Sequence, residues 1–218
     1  MKLLLKPIII AYYLIRRIFV FFRWRITLLK YKYFGRKPKE TETAKAKDRR
    51  HREDFFNKYC KGKGLDIGFG GDLIVPDALG FDIEHGDATY IKRISKIKFD
   101  FVYSSHLLEH IHKQGLALQN WWSVLNPGGF LILYIPHRDL YEKKKTLPSN
   151  FNTDHKQFFV LEKDEPPCTI GIISLINKSL QDNEIIYAKV CDENYKPNNV
   201  NEYSEGEYSI EVVVKKIK

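Results

Sequence analysis

Sulfur is scarce in this sequence. It has three cysteines and one methionine in 218 residues. Cys60, Cys168 and Cys191 are scattered, odd in number and lack metal-ligand spacing, which excludes a disulfide framework and points to a reducing compartment. No metal site is expected. Also missing is an apolar run long enough to cross a bilayer. The longest uncharged stretch of the apolar head, Pro7 to Ile15, has nine residues, against about 20 for a span. Forcing Leu3 to Phe22 through would bury Arg16 and Arg17 at about 5–7 kcal/mol against about 3–6 kcal/mol gained, so a spanning helix is not expected. A cleaved signal peptide is not expected either, because those arginines stand where a small-residue cleavage site should be. There is no internal repeat and no low-complexity run.

Acidic residues are almost absent from the first 50 positions. That stretch holds 15 of the 36 Lys and Arg and three acids, whereas the remainder carries 21 basic and 24 acidic residues. The net charge of +9 therefore belongs to the head, and the slightly acidic remainder argues against a nucleic-acid binder. At helical spacing Lys2, Lys6, Arg16, Arg17, Arg23 and Lys30 share one broad face, with Arg25 and Lys32 outside it. Residues 1–35 read as a basic amphipathic helix for an anionic membrane surface, placing the protein in the cytoplasm on the inner face of a membrane. Packing of that helix on the protein's own core, or on a partner subunit, is the alternative. Residues 36–52 are polar and charged and read as a linker, leaving 53–218 as the main domain.

The domain opens with a helix carrying Phe55, Phe56 and Tyr59. Leu65 to Ile67 is a buried strand entering a turn with glycines at 68, 70 and 71, which admit positive φ and leave room for a ligand against the backbone. Asp66 sits at the strand end. Asp72 to Leu79 is too short for a crossover helix of normal length. Gly80 to Ile83 is a second strand ending in Asp82, and an acid placed there accepts hydrogen bonds from ribose hydroxyls in nucleotide-binding βαβ units. Asp87 to Ile91 is a third strand or a loop. Phe99 to Tyr103 is a strand closing on Ser104, Ser105 and His106. Helical periodicity from Leu107 to Leu125 stops at Asn126-Pro127-Gly128-Gly129, and Phe130 to Ile135 is strand again. The tail reads as a helix from Ile170 to Leu180 and strands at 184–190 and 208–214. Together these predict an α/β fold with a doubly wound, mostly parallel sheet and an antiparallel C-terminal edge. Ligands in such sheets bind beyond the carboxyl ends of the strands.

Four features in that order resemble the class I S-adenosylmethionine-dependent methyltransferases, in particular the small stand-alone methyltransferase-domain proteins. They are the Asp66-x-Gly68-x-Gly70 turn, Asp82, the block from Phe99 through Ser104-Ser105-His106-Leu107-Leu108-Glu109-His110, and Asn126-Pro127-Gly128-Gly129. The resemblance implies a Rossmann-like fold and S-adenosyl-L-methionine as cofactor. It also implies that Asp66, Gly68 and Gly70 approach the methionine part, Asp82 binds the ribose, Asp87 lies near the adenine, and Ser104 and His106 floor the pocket. Two departures stand out: Asp72 where the family often has glycine, and the short crossover before Asp82.

The segments 136–141 and 152–156 resemble the acceptor side of the same group. A hydroxyl acceptor needs a base, usually histidine. The candidates are His155, favoured because Asp154 adjoins it, then His110 and His137. Arg138 orients an anionic acceptor or else pairs with Asp139 or Glu142; Tyr141 and Asp154 complete the acceptor-binding set. The expected activity is O-methylation of a small or lipid-linked acceptor, such as a surface-glycan sugar. Two alternatives compete: a nucleic-acid methyltransferase, and an inactive membrane-bound adaptor of the same fold. Leu73 stands where a dinucleotide fingerprint needs its third glycine, which argues against an NAD enzyme.

Overall fold

A computed structural model describes residues 40–91, 96–196, 199 and 201–218. The expected amphipathic helix at 1–35 lies outside the described residues. Six strands form the main sheet: β1 (Gly64–Ile67), β2 (Leu79–Phe81), β3 (Phe99–Ser105), β4 (Leu125–Pro136), β7 (Asn183–Cys191) and β8 (Ser209–Lys216), in the order β2-β1-β3-β4-β8-β7. The first four run parallel, while β8 is antiparallel to β4 and β7 antiparallel to β8. The parallel sheet with an antiparallel edge is thus as expected. A separate parallel pair joins β5 (Phe158–Val160) to β6 (Thr169–Gly171).

Side-chain alternation gives the sheet two apolar faces. Val102, Leu131, Leu133, Ile135, Ile210, Val212 and Val214 face one way, under α4 (Gln114–Ser123) and α5 (Ile172–Ser179), which contribute Ala117, Leu118, Trp121, Ile172 and Ile176. Phe101, Tyr103, Ile132, Tyr134 and Val213 face the other way, under Phe55, Ala46, Ile74 and Ala78. The β1–β2 crossover contains no helix, as its length requires. Residues 88–90, read as a strand or a loop, form a 3-10 turn.

The linker expected at 36–52 is not one over its described part. Short helices α1 (Glu42–Lys45) and α2 (Lys47–Arg52) precede α3 (Phe55–Tyr59) and belong to the same compact unit as the rest of the domain, which begins at Thr41. Arg49 and Arg50 are buried. Arg50 Nε donates to Glu211 Oε1 at 2.7 Å and Nη2 to the Tyr103 hydroxyl at 3.1 Å. Arg49 donates to Glu211 Oε2 at 2.8 Å and to Glu207 Oε2 at 2.8 Å. Glu211 lies on β8 and Glu207 just before it, and both carboxylates reach Arg49. A charged run reads as solvated only while its counter-charges, far away in sequence, stay out of view.

Candidate active site

The chain leaves β1 for β2 on one side, while β3 pairs with β1 on the other. The carboxyl ends of β1 and β3 are therefore a topological switch point, where a crevice opens. The glycine turn occupies it. Gly68, Gly70 and Gly71 have φ of 76°, 57° and 93°, a region that L side chains adopt at a cost. Gly68 N donates to Phe81 O at 2.7 Å and Gly70 N to Asp82 Oδ2 at 3.1 Å, which ties the turn to the end of β2. A Cβ on Gly70 or Gly71 would meet no atom of the described residues within 4 Å, whereas one on Gly68 would come within 3.0 Å of Leu107.

Asp66 is buried beneath this turn. Its Oδ2 accepts from Ile74 N at 2.7 Å, and its Oδ1 has no hydrogen-bond partner among the described residues. Burial pushes it up to about 7, the Ile74 N–H pulling the other way. Between its ordinary 3.8 and about 7 the folded protein keeps a proton that the unfolded chain has lost. Its contribution to stability is therefore fully present below about 3.8 and is lost as pH rises through about 7, by roughly 4 kcal/mol at most. Asp66→Asn is expected to remove that slope. Urea unfolding at pH 4.5 and 7.5 checks it: the variant should gain on the wild type at the higher pH, and an equal gap at both values refutes the assignment.

The other turn-side candidates are placed unequally. Asp82 closes β2, its Oδ1 accepting from Ile83 N at 2.8 Å. Asp87 caps the 3-10 turn through Thr89 N at 2.8 Å. Ser104 does not floor the pocket through its hydroxyl, which donates to Ile67 O at 3.0 Å inside the sheet. His106 also departs from its expected place. With φ 47° it turns the chain at the end of β3, and its ring lies near Tyr134 and Tyr208, with Nε2 2.8 Å from Ser209 Oγ.

That turn sends His106 into a second cluster on the acceptor side. His155 is buried, and its Nδ1 lies 2.5 Å from Glu142 Oε1. His110 Nδ1 lies 2.9 Å from Asp154 Oδ2. The two rings pack edge to face at 4.8 Å. Thus the acid that orients His155 is Glu142, thirteen residues away, and the adjoining Asp154 serves His110. Beside both rings lies Glu109, its Oε1 3.9 Å from His110 Nε2 and 4.0 Å from His155 Nε2, fully buried and with neither oxygen having a hydrogen-bond partner among the described residues. Burial pushes Glu109 up to about 8 and holds His106 and His110 below the ordinary imidazole value. Tyr141 packs beside His155 at 5.6 Å and against Tyr208 at 4.9 Å.

The side chains of His137 and Arg138 are engaged elsewhere. Among the hydrogen bonds of the described residues His137 touches the cluster through its backbone only, with Tyr141 N and Tyr208 O at 2.8 Å, while its ring Nδ1 accepts from Asp139 N at 3.2 Å. Arg138 is buried with all five N–H groups engaged, by both oxygens of Asp139, both of Glu165, and Thr169 Oγ1, leaving none for an acceptor. Its partners are Asp139 and the distant Glu165, the latter not visible from spacing. Glu109 and Glu142 are the site residues that sequence reasoning missed. Only the Glu109-His110 adjacency gave any signal.

Residues 28–133, a little under half of the chain, match the family model described as methyltransferase domain. No curated protein matches the chain by sequence. Among solved structures, a S-adenosylmethionine-dependent methyltransferase from Clostridium acetobutylicum aligns over 88% of this chain and 97% of its own, with TM-score 0.50 and 11% identity. A SAM-dependent methyltransferase from Archaeoglobus fulgidus aligns over 87% and 98%, with TM-score 0.49 and 17% identity. The former likeness speaks for the fold, and the family model for the segment that holds the glycine turn, Asp82 and the block at 99–110. On these findings residues 28–133 match a methyltransferase domain, and the chain has the fold of the S-adenosylmethionine-dependent methyltransferases.

Proposed function

We propose that this methyltransferase methylates an oxygen of a small or lipid-linked acceptor, such as a sugar of a surface glycan, at a membrane surface. The observation that carries the reading is the buried His155–Glu142 pair. A hydroxyl is a poor nucleophile until its proton leaves, and a carboxylate holding Nδ1–H fixes an imidazole with its lone pair on Nε2. His155 is held that way, and its Nε2 faces the interior of the cluster, toward Glu109 at 4.0 Å.

The residues at the turn fit S-adenosylmethionine. The open space over Gly70 and Gly71 admits a ligand against the backbone. Asp66 Oδ1, buried and without a donor, suits an ammonium group. Asp82 serves the ribose and Asp87 lies toward the adenine. Ile83, 87% exposed beside Asp82, offers apolar surface to a ring. Bound there, the cofactor supplies an electrophilic methyl group on a sulfonium. The chain's part is then to hold the acceptor oxygen in line, and such positioning carries much of the rate.

The membrane reading rests on the charge and aromatic content of residues 1–35. No helix among the described residues is long and apolar enough to cross a membrane. The test is incubation of the full chain with radiolabelled S-adenosylmethionine and membrane extract, followed by separation into lipid, glycan, protein and nucleic-acid fractions. Label is expected in lipid or glycan, and less of it after removal of residues 1–35. Label in nucleic acid overturns the acceptor class. Calorimetric binding of the cofactor with no label in any fraction favours the adaptor.

A further inference from the structure

The histidine cluster holds more lone pairs than a proton relay needs. Three imidazole nitrogens converge on one carboxylate oxygen: His106 Nδ1, His110 Nε2 and His155 Nε2 lie 3.8, 3.9 and 4.0 Å from Glu109 Oε1. The ligand atoms of Glu109, His110 and His155 all lie within 4.8 Å of one another. The opposite nitrogen of each ring is already held, by Glu142 Oε1 at 2.5 Å for His155, Asp154 Oδ2 at 2.9 Å for His110 and Ser209 Oγ at 2.8 Å for His106. Where those outer nitrogens carry the proton, the inner ones are bare acceptors. Glu109 adds a fully buried carboxylate with no donor on either oxygen among the described residues. Acceptors facing one another around a buried carboxylate repel, and something positive belongs between them.

We propose that Glu109, His110 and His155, with His106 on a further side, form a binding site for one first-row divalent metal ion. Ligands at about 2.0–2.2 Å from such an ion sit about 3 to 4 Å apart across it, which is the spacing seen toward Glu109 Oε1. Imidazole and carboxylate without thiolate suit zinc, manganese, iron or cobalt, and an all-oxygen ion such as calcium poorly. The outer carboxylates on His155 and His110 match the arrangement in which a ligating histidine donates its other ring N–H to an acid, fixing tautomer and orientation. The expectation of no metal site came from cysteine spacing, and this set contains no cysteine.

The ion's existence stands on the cluster alone, whereas its role rests on the acceptor reading above. Bound to the acceptor hydroxyl, the ion lowers its pKa and the proton passes to water. The alkoxide oxygen then bonds to the methyl carbon as the carbon–sulfur bond breaks, its electron pair neutralising the sulfonium.

The test uses the full chain, stripped with a chelator and dialysed in turn against zinc, manganese, cobalt and, under reducing conditions, iron(II). Elemental analysis should find close to one ion per chain for at least one metal, and cobalt should give a ligand-field spectrum of nitrogen–oxygen coordination. Glu109→Gln and His155→Gln should each weaken binding at least tenfold, and His110→Gln, at the more exposed rim, covers the case in which either misfolds. His137→Gln, outside the cluster, should bind as the wild type does. No stoichiometric ion in any metal, or unchanged affinity in the cluster variants, overturns the site. Metal binding with label only in nucleic acid leaves the site standing and overturns the acceptor reading.

Discussion

Replacing Arg50 with alanine is expected to lower the unfolding free energy by about 3–5 kcal/mol, the usual loss when one member of a buried ion pair is removed. Arg50 is 0% exposed, and its guanidinium sits against Glu211, the Tyr103 hydroxyl and the rings of Phe55, Tyr103 and Tyr134, 4.8 to 5.4 Å from their centroids. Alanine removes the charge that half-compensates Glu211 and leaves a void as large as the side chain. Arg49 still reaches Glu211, which limits the loss to this range. For a domain of this size the melting temperature should fall by roughly 6–20 °C. Arg50→Met separates the two contributions, since it fills most of the volume and leaves the carboxylate short of a partner. A loss under 1 kcal/mol for alanine, by urea unfolding with unchanged m-value, refutes the claim that the pair fastens residues 41–52 to β8.

His155→Gln is expected to slow methyl transfer by about 10²–10⁴-fold, the range for a positioned proton acceptor, with cofactor affinity unchanged. Glutamine keeps a polar group of similar reach, so the packing against Tyr141 and His110 suffers little. Glu142→Gln should be milder, because the imidazole remains while the carboxylate that fixes its tautomer is lost. Transfer within threefold of wild type in His155→Gln removes the cluster from the reaction. The slowing follows whether Nε2 takes the proton itself or holds a metal ion. Partial recovery in excess zinc, seen only for His155→Gln and not for Glu142→Gln, points to the ion.

Most of the sheet was legible because its signals are local. Leu65 to Ile67, Phe99 to Tyr103 and Phe130 to Ile135 are β-branched, aliphatic or aromatic runs bounded by glycine or polar residues, and strands form over all three. The glycine turn and Asp82 were legible for the same reason, since a turn that needs positive φ announces itself in glycine. What failed was long-range pairing. Arg49 and Arg50 looked like a solvated run until Glu207 and Glu211 came from the other end of the chain. His155 was matched to the neighbouring Asp154 when the fold brings Glu142 to it. Arg138 was read as orienting an acceptor or pairing with Asp139 or Glu142; Asp139 does pair with it, and the distant Glu165 fills the rest of the guanidinium. Which acid serves which base is decided by where loops fold back, and composition carries no trace of that.

His106 illustrates a different tension. Its backbone sits at φ 47°, a conformation that costs a β-carbon-bearing residue about 1–3 kcal/mol and glycine almost nothing. Selection for thermal tolerance alone would drift toward glycine at this position, and a stability-guided redesign would propose it early. Either route gives a sturdier protein that has lost the imidazole facing Glu109. The histidine persists against that pull only where activity is also under test, so laboratory evolution at rising temperature, with and without a demand for methyl transfer, would separate the two pressures at a single codon.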